Sequence, residues 1–169
     1  MNIIIRKATC QDTENYIALL HQIKDGMKQS DWFFVDSDDW IRGWVNSGSM
    51  QIWLAEDGTR LAGAFSIVCP GFDPDNLGYD LGFTQEQLLR VVHMDSAVVH
   101  PDYRGLGLQK RLMAEAEKEI RKQPHRILLT TVHPENQYSL QNILKQDYTV
   151  VKEYKKYGSF RCILRKDLP

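Results

Sequence analysis

The sequence predicts an α/β (α+β) fold in which a mixed sheet carries helices on both faces. Three observations lead there. Apolar residues alternate between short β-like runs and stretches with helical spacing, in the order β-α-α-β-β-β-α-β-α-β-β. The dipeptide Asp57-Gly58, a strong hairpin signal, joins two of the β-like runs. Finally, Val98-Val99 passes through His100-Pro101-Asp102-Tyr103 into Arg104-Gly105-Leu106-Gly107-Leu108-Gln109, the layout of a strand turning into a helix through glycines. With 169 residues, 43% of them apolar, the chain is expected to form one domain, residues 1–169, around one core.

Each element has its own signal. Ile3–Lys7 reads as a short strand. Thr9 and Asp12 offer caps to a helix with Tyr16, Leu19, Leu20 and Ile23 on one stripe, closed by Gly26. Ser37-Asp38-Asp39 caps a shorter helix carrying Trp40, Ile41, Trp44 and Val45. Residues 50–55 and 61–68 form the expected hairpin strands. Residues 70–83, broken by Gly71, Pro74, Gly78 and Gly82, are expected as a loop, and Thr84-Gln85-Glu86-Gln87 as a capping box opening a turn or two of helix. Val91–Val99 is the next strand. From Leu106 a helix is expected to about Lys122, with Leu108, Leu112, Ala116 and Ile120 spaced by four. Ile127–Val132 is a strand, residues 136–145 a helix, and residues 149–154 with 160–164 a closing antiparallel pair.

Composition excludes several classes. A formal net charge of −1 argues against a nucleic-acid partner, which needs a concentrated basic face. No apolar run approaches the ~20 residues of a membrane span, so no membrane partner is expected. The first residues lack a signal-peptide layout, because a short apolar run precedes the charges. Cys10, Cys69 and Cys162 are widely spaced and odd in number, suggesting neither a disulfide framework nor a metal site. A reducing cytoplasm is the expected location.

The stretch around Arg104 has the chemistry of a phosphate cradle. Glycines let backbone approach a ligand, the first N–H groups of the helix lack internal partners, and its dipole and Arg104 supply positive charge. Upstream, alternation places His93, Asp95 and Ala97 on one face of the strand. A His with an ordinary pKa of about 6.5 suits deprotonation at neutral pH, and Asp95 is placed to orient it or to bind a cationic substrate.

The element order, Val99-His100-Pro101-Asp102-Tyr103-Arg104-Gly105-Leu106-Gly107, and the later Asn136 with Ser139 resemble the GNAT superfamily of acetyl-CoA-dependent N-acetyltransferases. The resemblance spans nearly the whole chain. It implies a mostly antiparallel sheet splayed at the cofactor-binding strand, and acetyl-CoA as co-substrate without a metal. It assigns pantetheine contact to the main chain of Ala97, Val98 and Val99, and pyrophosphate contact to Arg104, Gly105, Leu106, Gly107, Leu108 and Gln109. Gln109 departs from the Gly or Ala common there. Asn136 and Ser139 are implied to line the cofactor channel, while many members carry a Tyr seven residues after the Asn, acting as general acid. Here that position is Ile143, with Tyr138 and Tyr148 as alternatives.

The implied reaction is transfer of the acetyl group to a primary amine of a small molecule by direct attack. A protein N-terminus or lysine as acceptor, and a non-catalytic acyl-CoA-binding module, stay open as alternatives. Asp31, Trp32, Phe33, Phe34, Asp36, Asp38, Asp39, Trp40 and Trp44, with Phe72, Asp73, Asp75, Tyr79, Asp80 and Glu86, suit a cationic amine through charge and cation–π contact. Arg161 and Tyr157 suit a carboxylate instead. A homodimer is implied by the resemblance alone.

Overall fold

The computed structural model describes residues 2–169; Met1, the first residue of the expected N-terminal run, lies outside them. Seven strands are present among the described residues: β1 (Ile3–Lys7), β2 (Met50–Asp57), β3 (Arg60–Val68), β4 (Val91–Val99), β5 (Ile127–Val132), β6 (Thr149–Lys156) and β7 (Ser159–Asp167). The helices are α1 (Thr13–Asp25), α2 (Asp38–Asn46), α3 (Leu77–Asp80), α4 (Gln85–Leu88), α5 (Leu108–Ile120) and α6 (Gln137–Leu144). The strands hydrogen-bond in the order β1-β2-β3-β4-β5-β7-β6. Pairing is antiparallel for β1 with β2, β2 with β3, β5 with β7 and β6 with β7, and parallel for β4 with β5. This is the mixed, mostly antiparallel sheet with flanking helices that the sequence predicts.

The chain divides into two compact units, and the division falls inside β4. The first unit holds the N-terminal residues through Lys28, then Val35–Val68 and Asp95–Glu119. Its core takes Tyr16, Leu19, Leu20 and Ile23 from the stripe of α1, with Leu54, Phe65, Ile67, Leu112 and Met113, all buried. Gly63 marks a close approach, since a β-carbon there would lie 2.9 Å from the Val98 carbonyl oxygen. The His100 N–H donates to the Ala62 carbonyl at 2.9 Å and ties the turn after β4 to β3.

The second unit holds Gln29–Phe34, Cys69–Met94 and Ile120–Pro169. Leu77, Val91, Ile127, Leu129 and Ile163 form its buried cluster, with Leu81, Phe83 and Tyr154 packed against it. The parallel ladder sets Val91 to His93 against Ile127 to Leu129. Just past it, the Thr130 hydroxyl donates to the Met94 carbonyl at 2.8 Å.

Two expectations change. Residues 70–83 are more than a loop, because they contain α3. Asn76, fully buried, accepts from the Gly78 N–H at 2.8 Å and donates to the Gly71 and Leu88 carbonyls at 2.7 and 3.2 Å. Those bonds satisfy a polar side chain that would otherwise be costly to bury, and they fix the turn. The helix expected from Leu106 begins at Leu108. Gly105 and Gly107 have φ of 81° and 67°, left-handed values that a right-handed helix cannot contain. No helix among the described residues is long and apolar enough to cross a membrane.

Candidate active site

In the first unit, β4 leads through a short turn to the glycine loop. Tyr103 is buried, and its hydroxyl donates to Asp57 at 3.2 Å. Arg60 donates to Asp102 at 2.5 Å and lies 5.3 Å from the Tyr103 ring centre. The turn is therefore anchored, while Arg104, Gly105, Leu106 and Gly107 stay exposed on it. A β-carbon built on Gly105 or Gly107 meets nothing within 4 Å, so the outer side of the loop is open. The Gly107 carbonyl accepts from Arg111 at 3.1 Å, the first bond of α5, whose first turn carries Leu108 and Gln109. An open loop, an exposed guanidinium and a helix start of thirteen residues suit an anion of pyrophosphate size. Among the described residues no cluster of His, Cys, Asp or Glu forms a metal site.

Along β4 the expected alternation holds. His93, Asp95, Ala97 and Val99 are half-buried, while Val92, Met94, Ser96 and Val98 are buried. Asp95 accepts from the Ser66 hydroxyl at 2.9 Å. Desolvation raises its pKa, against hydrogen bonds from Ser66 and Ser96 that lower it.

His93, in the second unit, differs. Its Nε2 accepts from the Leu77 N–H at 3.0 Å, which places the ring proton of the neutral form on Nδ1. Desolvation, helped by the charge of Lys156, lowers its pKa to about 3. The ring expected as a base thus has its one lone pair engaged by the start of α3. Beside it, the Asp80 carboxylate accepts from Tyr154 at 2.7 Å and from Lys156 at 2.6 Å, and Lys152 donates to the Asp80 carbonyl at 2.7 Å.

Asn136 and Ser139 meet at the start of α6, where the Asn136 side chain accepts from the Ser139 N–H at 3.2 Å. That is the capping role open to any Asn at a helix start. Tyr138 is exposed and Tyr148 is buried, with Lys166 Nζ 5.6 Å from its ring centre.

Several of the acidic residues expected around an amine carry partners of their own. Asp38 pairs with His21, Asp39 with Arg42, and Asp80 with Lys156. Asp31 accepts from Ser159 at 3.2 Å and lies 3.4 Å from His133. Trp32 stacks on His133, Phe34 on Tyr157, and Trp40 meets Trp44. Arg161 is buried and donates to the Asp31 and Trp32 carbonyls, so it clamps this segment rather than presenting an open fork to a carboxylate.

Sequence reasoning missed Tyr16 and Ser66. Ser66 is the one hydroxyl in the apolar run Ala62-Gly63-Ala64-Phe65-Ser66-Ile67-Val68, a signal that such a residue needs a buried partner. It accepts from the Tyr16 hydroxyl at 2.9 Å and from the Ser96 N–H at 3.2 Å.

No curated protein sequence matches the chain. Solved structures do match in fold. Ribosomal-protein-alanine N-acetyltransferase from Brucella melitensis is 20% identical, with a TM-score of 0.74 over 98% of this chain and 99% of that one. NAA60 from Arabidopsis thaliana, in complex with acetyl-CoA, is 18% identical, with a TM-score of 0.75 over 99% of each chain. PaiA N-acetyltransferase from Thermoplasma acidophilum, in complex with coenzyme A, is 17% identical, with a TM-score of 0.67 over 99% of this chain and 100% of that one. The model of the acetyltransferase (GNAT) family matches residues 17–148. The chain belongs to the GNAT family of acetyltransferases.

Proposed function

We propose that this acyltransferase acts as a single domain, residues 1–169, that moves the acetyl group of acetyl-CoA to a primary amine of a small molecule by direct attack. Acetyl-CoA supplies an acyl carbon activated as a thioester. The residues suited to hold it are the main chain of Ala97, Val98 and Val99 and the cradle from Arg104 to Gln109. Asn136 and Ser139 join them on the pattern of the family.

Asp95 is the proton acceptor in this reading. The observation that carries it is a carboxylate held by a buried hydroxyl on the strand that runs into the glycine loop. Burial moves its pKa upward, toward the range where a base works at neutral pH. The ammonium gives one proton to Asp95, and the nitrogen lone pair forms the bond to the acyl carbon. The carbon–sulfur bond then breaks with its electron pair on sulfur, and the nitrogen releases its second proton to solvent to give the neutral amide. A thiol of ordinary pKa about 8.5 leaves as thiolate without an acid, which fits Ile143 in place of a tyrosine. His93 positions the start of α3 through Leu77.

A small amine is the acceptor in this reading. Residues 70–83 are fastened within the second unit through Leu77 to His93 and through Asp80 to Tyr154 and Lys156. The test is acceptor-stimulated thiol release from acetyl-CoA across polyamines, amino acids, aminoglycosides and peptides with free N-termini. Stimulation by small amines is expected. Stimulation by peptides alone moves the acceptor class to protein, and none by any acceptor removes the reading.

A further inference from the structure

We propose that Tyr16 and Ser66 are positioning residues for the transfer, forming a buried one-way chain of hydroxyl donors that ends on Asp95. The inference rests on Asp95 as the proton acceptor. Three elements of the first unit build the chain: Tyr16 from α1, Ser66 from β3 and Asp95 from β4. Tyr16 and Ser66 are both at 0% exposure, and the two hydroxyl contacts are each 2.9 Å.

The direction follows from donor counting. An ionised carboxylate only accepts, so the single proton of Ser66 goes to Asp95. The Ser66 oxygen then accepts from both the Ser96 N–H and the Tyr16 hydroxyl. Each donor polarises the next, so the bond reaching Asp95 is stronger than that of a lone serine. A buried carboxylate would otherwise drift toward its protonated form, which cannot accept a proton from an ammonium. The chain opposes that drift and fixes which oxygen of Asp95 is engaged.

The charged groups bearing on Tyr16 are Asp95 and Asp36, and burial adds to both in raising its pKa. The tyrosine thus stays protonated and donating throughout the working range. A core tyrosine that merely fills space gives none of this ordering, and that contrast makes the idea testable.

The experiment compares wild type with Tyr16→Phe, Ser66→Ala, the double variant and Ser66→Thr, which keeps the hydroxyl. Readouts are the pH profile of kcat, the KM for acetyl-CoA, and titration of the Asp95 carboxyl by carbon NMR in the full chain. In Ser66→Ala the acid limb of kcat moves upward, so the rate on that limb falls about tenfold, the loss expected for one hydrogen bond to a charge. Tyr16→Phe, acting one bond further away, lowers it about threefold. Ser66→Thr returns the limb toward wild type, and KM for acetyl-CoA is unmoved in all of them.

Folded Tyr16→Phe and Ser66→Ala proteins with the limb and the carboxyl titration unmoved would overturn the inference. Should Ser66→Ala fail to fold, Tyr16→Phe and the double variant, which leaves no orphaned tyrosine hydroxyl, decide it by the same readouts. Asp95→Asn separates the two claims. If that variant keeps full activity, the proton-acceptor reading fails and the positioning role falls with it, whatever the titration shows.

Discussion

His93 and Asp95 stand two residues apart on the half-buried face of β4, and desolvation pushes both toward their uncharged forms. Hydrogen bonding then treats them in opposite ways. Neutral imidazole has one lone pair, and the Leu77 N–H takes it. A carboxylate has room for about four hydrogen bonds, so those from Ser66 and Ser96 leave it able to accept more. Proximity on a strand therefore did not make these groups a dyad. In the proposed mechanism, what separates base from support is whether acceptor capacity is left over, and long-range partners decide that.

Replacing Asp95 with Asn keeps the shape and removes the base, so kcat should fall roughly 10²- to 10³-fold with little change in CoA affinity. Steady-state thiol release and calorimetric titration of CoA measure the two quantities separately. Equal loss of both would put Asp95 among the residues that hold the fold. Gly107→Val should do the converse. A β-branched residue at φ 67° is strained by roughly 1–2 kcal/mol, and its side chain crowds the open cradle. CoA affinity should drop about tenfold or more, while the pH profile of turnover keeps its shape. If affinity holds, the loop is no donor site and the comparison along β4 loses its anchor.

Much of this was legible because it is periodic. Val91–Val99 and Ile127–Val132 match their expected bounds, since a period of two survives in the sequence. α5 starts two residues later than helical spacing suggests, because the spacing of Leu106 says nothing about the left-handed glycines on either side. Asn76 lies in a stretch expected as a loop, and only its burial and its two carbonyl partners reveal a built helical turn. The site divides in the same way. The glycine loop is local and readable in the sequence, whereas Leu77 and Ser66 reach β4 from 16 and 29 residues away. Local pattern carries no trace of such pairings, so the pair was visible and its wiring was not. The acidic segments show the same limit in part, because His21 and Lys156 reach Asp38 and Asp80 from distant elements, whereas Arg42 meets Asp39 within α2.

His93 offers a smaller effect, on stability and not on turnover. Its folded pKa of about 3 lies below the ~6.5 of an unfolded chain, so between those values the unfolded state binds a proton that the folded state does not. Stability must then rise with pH across that window. The contribution of His93 is present in full above about pH 6.5 and erodes as pH falls toward 3. His93→Gln removes the titration while offering an amide oxygen to the Leu77 N–H. Its unfolding free energy between pH 4 and 6 should therefore climb less steeply than wild type, by up to one proton, about 1.4 kcal/mol per pH unit. Denaturant titrations at several pH values give both slopes. Coincident slopes would mean that His93 charges in the folded protein, returning it to contention as a base. A shallower slope with kcat lowered only a few-fold would leave Asp95 alone in that role, since a residue that stays neutral through the working range cannot be taking up the proton of the amine.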